Sequence, residues 1–505
     1  MLSLKSLTPG ARKKSTHSRP LLFSNIPVPP EIGFGNFSSS LPYFAKGDGF
    51  KRLFKQFQRL HNEYGPIARL RFLPFTPYLV SIADPDAIAQ IFRSEGPMPQ
   101  RMTFVPWEIY RKEHNMPTIV GNSNDYEEWK RFRASLCDHL LRPKNIPSWC
   151  TRIDDVAQDV VDRVKKEAAA NNGIVTLTST IKAYSLEAVS SILFGKRMGC
   201  ITNDPNIPIE PQSQGFIDAV DGFFAVSERL IHLPPYIPLS LYKHIPAYKE
   251  LSSHADYIFN VGEQLLLEKI QERKLTGDDL LTLFLQRPEL NESEAISQAL
   301  GLLFAGVDTT ANAILWTLYL ISTSTNSSEI QSKIRDEVNI AMGSKSVIDE
   351  EILGKIPYIR ACVKEGLRLY PPASVSTRIA PEDTTIMGYS IPKGTLLMMQ
   401  CYVMSRDPNV FDNSNVFKPE RWLDRDQTSN RSKEAYSTLP FGMGARGCVG
   451  RRLAETEIYI LLAHIVRNID LQWLSSESLL EGELQTLLIP EKPMIISCQP
   501  VSSIN

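Results

Sequence analysis

The chain has 505 residues, 43% of them hydrophobic, and a formal net charge of −1. That is enough apolar material for a sizeable core, and the near-neutral balance gives no reason to expect a nucleic-acid partner. Seven cysteines, at 137, 150, 200, 362, 401, 448 and 498, include no close pair, which disfavours zinc sites and redox dithiols and fits a reducing compartment.

The first thirty residues carry Lys5, Arg12, Lys13, Lys14 and Arg19 with several serines, and the first acid is Glu31. A basic, Ser-rich, acid-free start has the composition of an organelle transit peptide, although a plain basic tail would look the same. No continuous apolar run marks a secretory signal there. The sequence therefore predicts a mitochondrial transit peptide over 1–30 and a folded domain over 31–505. Ile26-Pro27-Val28-Pro29-Pro30, followed by Gly33 and Gly35, reads as a rigid entry to that domain.

Helical periodicity follows around 50–64, and Ile67–Phe72 and Tyr78–Ile82 read as strands joined through Pro74 and Pro77. Helical patterns dominate from about 120 to 375. Asn291-Glu292-Ser293-Glu294 spells a capping box ahead of a long apolar helix. The stretch 295–328 is apolar enough to raise the question of a membrane span. Its single charge, Asp308, and its many Ser, Thr and Asn residues favour a buried core helix instead. Pro357 opens a further helix that Pro371-Pro372 closes. Short strands are expected over 381–400, and mostly coil over 404–450. A helix starts just after Cys448 and runs to about Ile469. Length alone favours roughly two to four domains. With no linker in the body, the fold class is instead mainly α with small β-sheets, in one domain.

Four clusters carry chemistry. Phe441-Gly-Met-Gly444-Ala-Arg446-Gly447-Cys448-Val-Gly450 sets one cysteine among glycines just before a helix. Glycines let backbone approach a flat cofactor, and the helix N-terminus favours a thiolate, lowering the thiol pKa. Glu365 and Arg368 share a helix face as i and i+3. Ala305-Gly306-Val307-Asp308-Thr309-Thr310 places an acid beside an alcohol inside an apolar helix, where it is costly without a purpose. Trp129 and Arg133 are an i, i+4 pair, a common and by itself uninformative spacing.

These motifs, in this order, resemble those of the cytochrome P450 family over roughly residues 30 to 495. The ten-residue Cys448 stretch matches the family's haem-binding motif in full. The resemblance implies a haem-thiolate monooxygenase with Cys448 as axial ligand of haem b, donating electron density that favours O–O cleavage. It implies that Trp129, Arg133, Arg378 and Arg446 approach the haem propionates. Glu365, Arg368 and Arg421 would form a buried structural triad. Asp308 and Thr309 would deliver protons during dioxygen cleavage. Arg360 and Lys364, basic at i and i+4, resemble the positions where mitochondrial members dock an acidic ferredoxin served by an NADPH reductase. The Arg451-Arg452 pair also resembles those members. The expected enzyme is mitochondrial, peripheral on the inner membrane, and acts on a small apolar substrate, sterol-like or foreign. Its pocket would draw on Thr103–Asn115, the long helix before Asp308, Ala373–Thr377 and Leu487–Ile489. A haem-thiolate isomerase or dehydratase, or a haem sensor, would have less use for an intact Asp308-Thr309 pair.

Overall fold

The computed structural model describes residues 20–31, 39–44, 49–74, 76–231, 233, 237–271, 278–423, 431–474 and 476–501. The longer helices among them are α1 (Leu53–Tyr64), α2 (Pro85–Ser94), α3 (Val105–Glu113), α4 (Tyr126–Leu140), α5 (Ile146–Ala170), α6 (Leu177–Phe194), α7 (Pro211–Ile231), α8 (Pro246–Gln271), α9 (Glu292–Thr323), α10 (Ser327–Met342), α11 (Pro357–Leu369) and α12 (Arg451–Asn468). The strands are β1 (Ile67–Leu70), β2 (Leu79–Ile82), β3 (Ile174–Thr176), β4 (Ser376–Ile379), β5 (Thr384–Ile386), β6 (Tyr389–Ile391), β7 (Leu396–Met399), β8 (Ile469–Trp473), β9 (Gly482–Gln485), β10 (Leu487–Pro490) and β11 (Ile495–Pro500).

One sheet has the order β1-β2-β7-β4, and a second β3-β11-β8. The expected strands β1 and β2 pair antiparallel, with Ile67 opposite Ile82. β2 then runs parallel to β7, with Leu79 opposite Leu396. The pairs β5–β6 and β9–β10 stand as two-stranded ribbons.

One continuous core draws Ile153 and Val160 of α5, Tyr184 of α6, Trp316 of α9 and Ile460 of α12 together. A shared core of this kind is what makes the body one domain. The long helix α9 runs through it for 32 residues. Its start is the anticipated capping box: Asn291 accepts from Glu294 N at 2.9 Å, and Glu294 accepts from Asn291 N at 2.9 Å. α9 is long and apolar enough to cross a membrane, yet 67% of its most apolar window is buried inside the protein. It is the buried helix its Ser, Thr and Asn content suggests.

The structure adds to two expectations. Residues 21–27, ahead of the expected domain start at 31, pack on the body. Leu21 N donates to Gly388 O at 2.9 Å, and Ser390 N donates to Leu21 O at 2.8 Å, a parallel bridge beside β6. Ile26 is buried in a core with Ile386 and Ile391, and Arg69 N donates to Pro27 O at 2.8 Å. A removable leader ending at 30 would strip these contacts. Residues 1–19, which hold its basic cluster, and Gly33 and Gly35 lie outside the described residues. Second, the mostly coil stretch 404–450 also holds a short helix, Arg431–Ser437, and Gly482–Gln485, Leu487–Pro490 and Ile495–Pro500 are strands where no element was expected.

Candidate active site

The loop before α12 folds back on itself. Cys448 N donates to Phe441 O at 2.8 Å, and Gly447 N donates to Gly444 O at 3.0 Å. Gly444 sits at φ +69, a backbone conformation that favours glycine. Arg133 of α4 donates to Gly447 O at 2.5 Å and so ties α4 to this loop.

Cys448 is an exposed residue with protein packed around it on all sides. The two facts agree if the sulfur opens onto an internal hollow rather than onto bulk water. Burial pushes the Cys448 thiol up, against the Gly450 amide and the Arg133 and Arg451 guanidinium groups, which pull it down. The sequence-based expectation of a lowered thiol pKa is thus overturned for the protein alone. The helix end acts as anticipated and Arg133 and Arg451 add to it, but desolvation outweighs them.

Cys401 also begins a helix, yet it is 2% exposed and its Sγ lies against Met399 O at 3.6 Å. A sulfur closed in by its own chain has no room for a ligand. The remaining cysteines are free thiols, buried except for the partly exposed Cys137, as the absence of close pairs suggests.

Beside Cys448 lies a concentration of positive charge. Arg446 Nε donates to Pro99 O at 2.8 Å, and its guanidinium stacks 4.7 Å from the Trp129 ring centre. Arg446 is pushed down to about 10, first by burial and then by Arg101, Arg378 and Arg133, with Glu95 opposing. Arg378 is held by Glu95, Nε to Oε2 at 2.6 Å. Arg101 is lowered by burial and by Arg378 and Arg133. Four guanidinium groups therefore share a buried space with the carboxylate of Glu95. Two donors there, Trp129 Nε1 and Arg446 Nη1, are buried without an acceptor. Unpaired buried donors and excess charge are costly, and both are relieved by carboxylates. A group carrying two carboxylates next to an inward-facing sulfur fits haem. The structure brings Trp129, Arg133, Arg378 and Arg446 together as expected. It adds Arg101 and Glu95, which no local pattern singled out, and shows Arg378 already bound to an acid.

On α9 the acid and the alcohol face different ways. Thr309 Oγ1 donates to Ala305 O at 2.7 Å, the ordinary back-bond of a helical threonine. Ala305 is exposed although its neighbours Leu303, Val307 and Asp308 are buried, so the Gly301, Ala305 and Thr309 face borders an internal chamber. Asp308 points toward α6. Lys182 Nζ stands 3.7 Å from Asp308 Oδ1, too far for a hydrogen bond, because it is drawn to Asp221. Burial pushes Asp308 up to about 7, with Lys182 pulling down and Asp221 pushing up. These three charges, with Gly222, Phe224, Ala225, Gln485, Leu487 and Ile489, line a cavity of about 260 Å³. The expected pocket segments recur in part: Leu487 and Ile489 line this cavity. Trp107 of α3 stacks on Phe304 of α9 at 6.2 Å, and Phe223 of α7 meets Phe304 at 4.9 Å.

Behind the loop, Glu365 is fully buried and accepts five hydrogen bonds. Arg368 gives two, at 2.8 and 2.7 Å. Arg421 Nε gives one at 3.0 Å, Lys418 N one at 3.0 Å and Trp422 Nε1 one at 2.9 Å. The anticipated triad is present, with Trp422 as an added member. Arg360 and Lys364 are both exposed. Lys364 lies 3.8 Å from the Trp422 ring centre.

Residues 38–498 match the protein family described as Cytochrome P450. The chain is 31% identical over 492 residues to the mitochondrial cholesterol side-chain cleavage enzyme of Oncorhynchus mykiss, covering 95% of this chain and 91% of the relative. It is 30% identical to the human mitochondrial 25-hydroxyvitamin D-1 alpha hydroxylase, over 94% of this chain and 92% of the relative. It is 32% identical to the mitochondrial sterol 26-hydroxylase of Mus musculus, over 85% of this chain and 81% of the relative.

Proposed function

The chain belongs to the cytochrome P450 family and is a haem monooxygenase, and on that premise we propose how its residues divide the work. Cys448 is the thiolate ligand of haem b. Trp129, Arg133, Arg446 and Arg101 hold the propionates, and Arg378 is oriented for the same task by Glu95. When bound, the haem activates dioxygen with two externally supplied electrons, so that one oxygen atom enters the substrate and the other leaves as water.

The protein's own part is binding and proton handling. Asp308, poised at about 7, takes up and gives a proton at physiological pH. Lys182 and the partly exposed Asp221 link it to the surface beside the cavity. Thr309 gives its hydroxyl proton to Ala305 O and leaves its oxygen lone pairs toward the chamber. Phe223, Phe304 and Trp107 supply apolar walls that exclude water.

The relatives are named for acting on cholesterol, 25-hydroxyvitamin D and sterols, which supports a sterol-like apolar substrate. Their mitochondrial names, with the acid-free basic N-terminus, support import into mitochondria and electrons from an acidic ferredoxin and its NADPH reductase. Exposed Ile231, at the end of α7, and Leu241 suit peripheral contact with the inner membrane.

The observation that carries the reading is the accessible Cys448 sulfur near four guanidinium groups that share the single carboxylate of Glu95. Cys448→Ser tests it: the reduced, CO-bound wild type should give the strongly red-shifted Soret band of a thiolate haem, and the variant should lose it. A variant that keeps the band would mean that another residue is the ligand.

A further inference from the structure

Glu95 belongs to no motif in the sequence, yet its carboxylate is the one that the arginine cluster shares. It stands at the C-terminal cap of α2 and is 8% exposed. Oε2 accepts from Arg378 Nε of β4 at 2.6 Å. Oε1 lies against the Cys448 loop, 2.6 Å from where a Cβ on Gly444 would stand. Burial pushes the Glu95 carboxyl up, and Arg378 and Arg446 pull it back. Glu95 in turn opposes the lowering of Arg446 by Arg101, Arg378 and Arg133.

Holding Arg378 in place does not account for this acid. Arg378 has other fixings: Nη1 donates to Thr377 O at 2.8 Å, Nη2 donates to Met443 O at 3.4 Å, and its guanidinium lies 5.0 Å from the Phe92 ring centre. What Glu95 alone supplies is negative charge. Four guanidinium groups against one carboxylate leave an excess of positive charge, only part of which two propionates would offset. Charges buried together are little screened by water or salt, so they act beyond their own contacts. A negative charge near a haem favours the ferric state, which carries one more positive charge than the ferrous state. Cations favour the ferrous state and raise the potential.

We propose that Glu95 is a potential-setting residue: its buried carboxylate, set among the arginines that face the propionates, holds the haem's reduction potential below the level those cations alone would give. The proposal rests on the haem-thiolate reading, which puts the propionates on this cluster. A potential held low keeps weaker reductants from loading the iron and suits a low-potential ferredoxin as donor.

The test is a spectroelectrochemical redox titration of the haem-loaded full chain, comparing the wild type with Glu95→Gln, Arg378→Met and the double variant. Glu95→Gln keeps the shape and removes the charge. At a fixed potential its ferrous-to-ferric ratio should rise about tenfold, an upward shift of about 59 mV for one electron. Arg378→Met removes a cation and should shift the potential down. Adding Glu95→Gln to Arg378→Met should raise it again by a similar step. A residue that only positioned Arg378 would shift the potential in the same direction as Arg378→Met, and would have no effect once Arg378 is gone. Glu95→Asp, which keeps the charge, should stay near the wild type. Shifts of the same sign in Glu95→Gln and Arg378→Met would overturn the proposal. So would an unchanged potential on adding Glu95→Gln to Arg378→Met. If Glu95→Gln alone fails to hold haem, that second comparison still decides, because the double variant removes both members of the buried pair and strands neither charge. A wild type whose reduced, CO-bound form lacks the thiolate Soret band would overturn the haem-thiolate reading and this proposal with it. A normal band with unmoved potentials would overturn this proposal alone.

Discussion

Asp308 owes its titration range to groups on other elements. Burial raises it, Lys182 on α6 lowers it and Asp221 on α7 raises it. The signs make a paired prediction. Removing the cation in Lys182→Met should push the Asp308 pKa above its value of about 7, so the pH limb of turnover that Asp308 governs should move up. Asp221→Asn removes a like charge, so the same limb should move down. Product formed per NADPH, measured with ferredoxin and its reductase across the neutral range, checks both. Shifts of the same sign would take Asp308 out of the proton path. Thr309→Ala should leave NADPH consumption running while peroxide replaces product. The asymmetry between these residues is also one of legibility. Cys448, Asp308 and Thr309 were readable because each belongs to a local motif, and Trp129 and Arg133 only through the resemblance to the family. Lys182, Asp221, Arg101 and Glu95 were not. Each reaches the site from an element distant in sequence, and a lone charge on an amphipathic helix looks like any solvated face. The direction of the Cys448 shift was misjudged for a related reason: a loop motif records donors and cations but not the packing that desolvates the sulfur.

At the scale of elements, the clearest test is the network at the end of α11. Arg368 is fully buried and spends its remaining donors on Ser405 O at 2.7 Å and Ser414 O at 2.6 Å. Glu365→Leu would leave Arg368 buried without its carboxylate, a loss of about 3–5 kcal/mol, to be read as a lower urea midpoint with unchanged slope. The entry segment gives a second test. Deleting 1–19 keeps every contact described above and serves as the reference. Deleting 1–30 removes the Leu21 bridge and the buried Ile26, and the Ile26 side chain alone contributes about 1.5–3 kcal/mol, so the melting temperature should fall. Equal melting of the two truncations would place the start of the body later than the contacts indicate. Long elements with caps were legible: α9 from its Asn291–Glu294 box, α11 from Pro357. The strands β8 to β11 were not, because each is four to six residues long, and β11 pairs with the distant β3 as well as with β8. Too few alternations fit in such a length to separate a strand from coil.

For the molecule as a whole, the question is how electrons reach a buried site from outside. Arg360 and Lys364 are exposed on α11, and α12 contributes the exposed Arg451. These cations are near neighbours: Arg451 acts on Lys364, and Arg360 and Arg451 both act on Tyr459. We propose that Arg360, Lys364 and Arg451 serve as the docking face on α11 and α12, although Arg451 is already paired with Glu455 at 2.9 Å and Glu434 acts on Lys364. A partner seated there approaches the sulfur side of the site rather than the chamber side, which leaves the chamber open to substrate. Exposed charges of this kind act mainly on association rate and are screened by salt. Reversing Arg360 and Lys364 to Glu should therefore slow reduction by an acidic ferredoxin about 10- to 100-fold at low ionic strength, and the gap should narrow as salt rises. Haem content and the substrate-induced Soret shift should hold, since neither residue reaches the chamber. Arg360→Glu alone is the cleaner arm, because Lys364 also rests on Trp422, which bonds Glu365. A fall in haem content confined to the double variant would come from that contact rather than from docking. An unchanged reduction rate at low salt in both variants would remove the docking face from α11 altogether.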